Sequence, residues 1–202
     1  MSHVLLYGGT FDPVHYGHLI PCRAAREFLR ADLVLFIPAQ ISPPKQDQTP
    51  SASPAQRLRM LELALEGHYD FAIDPRELTR PCPPPSYTID TIAELQRDRP
   101  HDRFTLLIGE DQLPKLHTWY RMADLLALVP MAVMPRQSDP AGMTIVRQHL
   151  GTLAERLAIL PTPRIDISAT DIRQRVARGQ PVSFLVPPAV AAFMAAERLY
   201  SR

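Results

Sequence analysis

Short apolar runs that stop at glycine or proline and lead into helix-like stretches recur along this chain. That alternation is its strongest structural constraint. Val4–Tyr7 runs into Gly8-Gly9, Leu33–Ile37 is stopped by Pro38, and Phe104–Ile108 ends at Gly109. Continuous apolar runs this short mark strands covered on both faces, as in parallel sheets flanked by helices. Between them the apolar residues fall at helical spacing. Leu19, Cys22, Ala25 and Leu29 share one face of a helix over 18–30. Leu58, Leu61 and Leu65 form the buried stripe of another, opened by Ser53-Pro54 and closed by Gly67. Phe71–Ile73 reads as a strand, Thr88–Arg97 and Met122–Leu128 as helices, and Met131–Met134 as a strand. A last strand is expected near Leu157–Leu160, then helices at about 168–178 and 188–199. Residues 39–53 read as a proline-studded loop, and 137–150 as a polar segment with no assignable role. The pattern predicts a doubly wound, Rossmann-like α/β fold. With 202 residues, no internal repeat and no long linker, residues 1–202 are expected to form a single domain with a small C-terminal helical part.

Composition narrows the class. At 46% hydrophobic and 21% charged, the chain can bury a real core. Its 22 basic residues against 21 acidic ones leave a net charge of +1, which argues against a protein held to nucleic acid or a membrane by bulk charge. No apolar run approaches the ~18–20 residues of a membrane span. Cys22 and Cys82 are isolated thiols with no zinc-type spacing, as in a reduced, cytoplasmic protein. Pro reaches 22 residues, but with 8 Gly it stays short of low complexity, so the prolines punctuate a folded chain. Lysine is scarce: only Lys45 and Lys115 occur.

In sheets of this kind ligands sit beyond the carboxyl ends of the strands. The loops after Tyr7, Ile37 and Ile108 are therefore the expected place for chemistry. The first reads Gly8-Gly9-Thr10-Phe11-Asp12-Pro13-Val14-His15-Tyr16-Gly17-His18. It is neither a GxGxxG fingerprint nor a GxxxxGK[ST] loop. Its glycines allow close backbone approach, and free N–H groups at the following helix start attract phosphate. His15 and His18, three apart at a helix entry, can point into one cleft. Imidazole donors placed there suit charge on a transferring phosphoryl group. A metal site ranks below that, because no Asp or Glu completes a ligand set at suitable spacing.

GGTFDPVHYGHL resembles the signature of the nucleotidyltransferase superfamily that carries HxGH, and specifically the bacterial nicotinate-mononucleotide adenylyltransferases. Further matches run along nearly the whole chain. Ser86-Tyr87-Thr88-Ile89-Asp90-Thr91 resembles the family's SYT-x-x-T segment, and Ile108-Gly109-Glu110-Asp111 its IG-x-D strand end. Trp119-Tyr120 resembles its WY pair, and Ile167-Ser168-Ala169-Thr170-Asp171-Ile172-Arg173 its IS-x-T-x-IR segment. An RTEGIS-type run, which would mark a cytidylyltransferase, is absent. Phe11-Asp12-Pro13 stands where an archaeal-type nicotinamide enzyme would read FQP. A non-catalytic nucleotide sensor would not need both histidines and Arg173.

The resemblance implies an enzyme joining ATP and nicotinate mononucleotide to give deamido-NAD and pyrophosphate, a step of NAD biosynthesis. It implies His15, His18 and Arg173 as catalytic residues, the histidines on the α- and bridging phosphate oxygens and Arg173 on the β- and γ-phosphates. Gly8, Gly9, Thr10, Phe11, Lys45, Gly109, Asp111, Ile167, Ser168 and Thr170 would bind ATP, with Asp111 on a ribose hydroxyl. Trp119 would stack on the pyridine, with the Thr88 and Tyr120 backbone N–H groups reading its carboxylate and Tyr87 beside them. Mg²⁺ would be held mainly through the ATP phosphates, with no protein metal site. No nucleic-acid or membrane partner is implied, and self-association is compatible with the sequence. One departure is clear. The loop Pro38-Ala39-Gln40-Ile41-Ser42-Pro43-Pro44-Lys45 has Pro44 where the family usually has histidine, so that histidine's contact does not carry over. Separately from the resemblance, Ser168-x-x-Asp171 reads as a capping sequence that opens a helix and an anion site.

Overall fold

A computed structural model of the chain describes residues 1–40, 51–80, 87–136 and 140–201. Lys45, Cys82 and the Pro43-Pro44 pair lie outside the described residues. Six strands form one sheet: β1 (His3–Gly9), β2 (Leu33–Pro38), β3 (Phe71–Ile73), β4 (Arg103–Gly109), β5 (Met131–Met134) and β6 (Leu157–Ile159). Their order is β3-β2-β1-β4-β5-β6, so the direction of progression reverses between β1 and β4. β1 runs parallel to β4, with Leu5 opposite Thr105 and Leu6 opposite Leu106. β4–β5 and β5–β6 are parallel as well. This is the expected α/β arrangement of a doubly wound sheet, in which the reversal is where ligands bind.

The described helices are α1 (Tyr16–Leu29), α2 (Pro54–Leu65), α3 (Arg76–Thr79), α4 (Thr88–Asp98), α5 (Met122–Leu128), α6 (Pro140–Leu150), α7 (Ala169–Ala177) and α8 (Pro188–Ala196). Local chemistry explains their ends. Ser53 caps α2: its hydroxyl accepts from Gln56 N–H while the Gln56 side chain accepts from Ser53 N–H, a reciprocal capping box. Ser168 caps α7 by accepting from Asp171 N–H at 3.1 Å, as its sequence suggests. No described helix is long and apolar enough to cross a membrane.

Packing divides the chain into two compact units interleaved in sequence. The first is Met1–Gly8, Pro21–Leu35 and Tyr87–Arg164; the second is Gly9–Ile20, Phe36–Ser86 and Ile165–Arg202. Val4, Leu5, Leu6, Leu107, Leu95 and Leu125 lie in the core of the first. Phe36, Met60, Leu61, Ile172, Val190 and Met194 lie in the core of the second. Burial pushes the Cys22 thiol up from its ordinary value, so it stays protonated and unreactive.

Three expectations need correction. The buried face of α2 is Arg57, Met60, Leu61, Ala64 and Leu65, whereas Leu58 is only half-buried. A fully buried arginine on that face is a tertiary decision, treated below. Residues 140–150 of the polar segment form α6. It packs on a 3₁₀ segment, Glu110–Thr118, which the sequence pattern does not announce. A Cβ on Gly142 would lie 3.1 Å from Cβ of Leu113, so the glycine permits that close approach. His117 and His149 stack at 4.1 Å across the same contact. Finally, Arg76–Thr79 forms a short helical turn between β3 and α4, which the sequence pattern does not announce.

Candidate active site

In the second unit the first loop is organised around its two histidines. His15 is buried at 1% exposure, and its ring stacks on His18 with centroids 3.7 Å apart. The backbone N–H of His15 donates to Nδ1 of His18 at 3.3 Å. A ring nitrogen that accepts carries no proton. With Nδ1 accepting, a neutral His18 ring carries its proton on Nε2. Phe11 packs its ring edge-on to His18 at 5.2 Å and takes a left-handed backbone, with φ 51°. A Cβ on Gly9 would sit 2.9 Å from the Phe11 ring, so only glycine fits beneath it.

The glycine of HxGH has an equally specific reason. A Cβ on Gly17 would lie 2.9 Å from the Ile167 carbonyl oxygen and 3.0 Å from Nδ1 of His15. The motif's spacing thus lets the segment before α7 press against the histidine turn. Tyr16 N–H donates to the Leu185 carbonyl at 3.0 Å, and His18 N–H to the His15 carbonyl at 2.8 Å, fixing the start of α1.

Asp12 ties the loop to the rest of this unit. Its carboxylate is 5% exposed and accepts from Ser51 N–H at 2.8 Å, Ala52 N–H at 3.1 Å and the Tyr200 hydroxyl at 2.6 Å. Arg173, on α7, donates to the Asp12 carbonyl at 2.7 Å and to the Thr170 hydroxyl at 3.2 Å. Its NH1 lies 4.0 Å from the Asp12 carboxylate. Arg57 is wholly buried and donates to the Thr10 carbonyl at 2.8 Å and the Ala39 carbonyl at 2.7 Å. Burial pulls its guanidinium down from its ordinary value, while Asp12 and then Tyr200 oppose that shift. Thus Gly9, Thr10, Phe11, His15, His18, Ile167, Ser168, Thr170 and Arg173 all belong to this unit. Asp12, Arg57 and Tyr200 escaped sequence reading: nothing in their spacing says that they meet.

The first unit holds Gly8, Tyr87, Thr88, Gly109, Asp111, Trp119 and Tyr120. The Asp111 side chain folds back over Gly109 so closely that a Cβ there would collide with Oδ1 of Asp111. Asp111 also lies 3.6 Å from Arg136, whose backbone N–H donates to the buried Glu110 carboxylate at 2.9 Å. Trp119 sits not in an open loop but at the C-terminal end of the 3₁₀ segment, its N–H donating to the Leu116 carbonyl at 3.1 Å. Its indole N–H is buried with no hydrogen-bond partner among the described residues. A buried indole donor normally has one. The Tyr87 and Tyr120 rings pack against each other with centroids 4.3 Å apart, tilted by 32°. Tyr87 provides no side-chain cap for α4; its carbonyl accepts from the N–H groups of Asp90 at 3.1 Å and Thr91 at 3.3 Å.

Among the described residues, no group of three or more His, Cys, Asp or Glu could hold a metal ion. The buried Asp12 carboxylate is already engaged by three donors.

Comparison with known proteins shows the family. The cytidylyltransferase-like family model matches residues 6–175. A protein of Herpetosiphon aurantiacus named "probable nicotinate-nucleotide adenylyltransferase" is 38% identical over 200 residues, covering 99% of both chains. One of the same name from Pectobacterium atrosepticum is 38% identical over 214 residues, covering 98% of this chain and 99% of its own. Among solved structures, the nicotinic acid mononucleotide adenylyltransferase of Plasmodium falciparum, complexed with NaAD, superposes with a TM-score of 0.77. It is 13% identical and covers 99% of this chain and 98% of its own, a likeness of fold.

Gly17→Ala tests the packing of the histidine turn. Alanine would favour the helix by about 1 kcal/mol, but overpacking against a carbonyl and a buried ring costs roughly 1–3 kcal/mol. The expected result is a lower thermal midpoint and a displaced His15. An equally stable variant with an unchanged His15 imidazole resonance would show that the space is not tight.

Proposed function

Since the chain belongs to the nicotinate-nucleotide adenylyltransferases of the cytidylyltransferase-like family, we propose that it joins ATP and nicotinate mononucleotide through the residues described above. The product is deamido-NAD, with pyrophosphate leaving, a step of NAD biosynthesis. The phosphate oxygen of the mononucleotide attacks the α-phosphorus of ATP, and the bond to the β-phosphate bridge breaks. The attacking phosphate is mostly dianionic near neutrality, because its second pKa is about 6. No strong general base is needed, and the chain's task is positioning and charge stabilisation.

The observation that carries the reading is the His15–His18 pair. His18, accepting at Nδ1 from His15 N–H, offers its Nε2–H to the α-phosphate oxygens. His15, stacked 3.7 Å away, contributes at the bridging oxygen. Arg173 takes the β- and γ-phosphates, while Gly9, Thr10, Phe11, Ile167, Ser168 and Thr170 shape the backbone around ATP. Gly8, Gly109 and Asp111 serve the nucleoside, with Asp111 on a ribose hydroxyl. Lys45, outside the described residues, would be a further triphosphate cation.

For the mononucleotide, the buried and unpartnered indole N–H supports Trp119 as a platform prepared for a ligand. The lack of a side-chain cap on α4 supports Thr88 N–H as a carboxylate donor beside that of Tyr120, with the Tyr87 ring packed against Tyr120. Nucleotidyltransferases generally use a divalent cation. The described residues form no cage for one, so Mg²⁺ would arrive held by the triphosphate and water. The enzyme would work in the cytoplasm, consistent with its having no described helix able to cross a membrane.

The deciding experiment measures pyrophosphate release with ATP and either nicotinate or nicotinamide mononucleotide. Release with the nicotinate form is expected, and none with either would overturn the assignment. His18→Ala should keep the fold but lower turnover roughly 10²–10³-fold, the effect of deleting one preorganised oxyanion donor. Activity within threefold of wild type would remove His18 from the mechanism. Trp119→Ala should weaken the mononucleotide while leaving ATP affinity little changed; equal losses for both would mark the tryptophan as structural.

A further inference from the structure

The C-terminal turn brings Tyr200 back onto the first loop, across 188 positions of sequence, with its hydroxyl 2.6 Å from Oδ1 of Asp12. The backbone there is built for that purpose. Arg198 and Tyr200 both adopt the left-handed conformation, with φ 51° and 61°. Such values are uncommon for bulky side chains and persist where surrounding structure over-determines them. The turn is held by Leu199 N–H donating to the Met194 carbonyl at 2.9 Å and the Ser201 hydroxyl to the Arg198 carbonyl at 2.6 Å.

The Asp12 carboxylate has about four lone-pair directions. On Oδ1 it receives Tyr200 and Ala52 N–H; on Oδ2 it receives Ser51 N–H. What remains faces Arg173, whose NH1 is bonded to the Asp12 carbonyl and stands 4.0 Å from Oδ2. Arginine and carboxylate prefer a closer, two-pronged pairing. The Tyr200 hydroxyl occupies an acceptor site that such a pairing would use. Burial, followed by the Asp12 charge and the hydrogen bond to it, pushes the phenol up, so Tyr200 stays a donor.

We propose that Tyr200 is a positioning residue: by satisfying Asp12, its hydroxyl stops the carboxylate from capturing Arg173 and keeps that guanidinium available to the triphosphate. This rests on the reading of Arg173 given above. Without the hydroxyl, Oδ1 is left buried with one backbone N–H. The carboxylate then turns to Arg173, and the guanidinium is drawn away from the phosphates.

The test is a double-mutant cycle with Tyr200→Phe and Arg173→Ala, measured with ATP and nicotinate mononucleotide well below the midpoint of the least stable variant. Tyr200→Phe should lower kcat/KM for ATP roughly tenfold, the effect of losing one hydrogen bond to a charged group, and leave the KM for the mononucleotide unchanged. In the Arg173→Ala background the same change should have no further effect. Leu199→Ala, which loosens the turn without removing the hydroxyl, should not reproduce the ATP-selective loss. A Tyr200→Phe enzyme within twofold of wild type would overturn the proposal and leave the reading of Arg173 standing. So would an equal loss in both backgrounds, or an ATP-selective loss in Leu199→Ala. Wild-type rates in Arg173→Ala alone would remove the Arg173 reading, and this proposal with it.

Discussion

The second unit turns on a buried carboxylate. Asp12 has lost its water and is compensated by two backbone N–H groups and one phenol. An ionised carboxyl group removed from water costs several kcal/mol unless it is paired and hydrogen-bonded. The compensating donors come from two distant parts of the chain, the lead-in to α2 and the C-terminal turn. Arg57 supplies the complementary buried charge, joining the Thr10 and Ala39 carbonyls. Neither charge is tolerable without its partners, so the first loop, the lead-in to α2 and the last residues have to settle together.

What that polar core supports is a pair of imidazoles with little freedom. The stacking of His15 on His18, the backbone donor to Nδ1, and the contact of Gly17 with the Ile167 carbonyl leave one arrangement of the ring that faces outward. Preorganised donors of this kind are worth more than donors that must first be ordered, since reorganisation is not charged to the reaction step. The proposed chemistry asks for no activated nucleophile. Rigidity of donors is then the main thing a chain can contribute to it.

Recognition in the first unit has a different character. Asp111 is aimed by its own neighbours, Gly109 beneath it and Arg136 beside it. The 3₁₀ segment that carries it also delivers Trp119, and α6 packs along that segment. The proposed ring recognition therefore depends also on the packing of α6. In the proposed reading, backbone N–H groups at the start of α4 would supply the anion preference, set by geometry more than by residue identity.

The strands, most helices and the histidine motif were legible because each is a local pattern. Apolar runs ending in Gly or Pro, a Ser53 cap and a Ser168 cap act within a few residues, where sequence spacing is spatial spacing. The glycines of the first loop were legible as close approaches, though not against what. The 3₁₀ segment and α6 were not legible, because the first has poor periodicity and the second has its apolar face chosen by its partner. Arg57 defeated the pattern for α2, since its burial is acceptable only beside the carbonyls of Thr10 and Ala39. Asp12, Arg173 and Tyr200 are the clearest case. The sequence by itself determined the fold class and the family, and pointed to the first loop as the proposed place of phosphate chemistry. Only the tertiary structure decided which distant donors meet one buried carboxylate, because burial of a charge is a property of the assembled surroundings and not of any residue's neighbours in the chain.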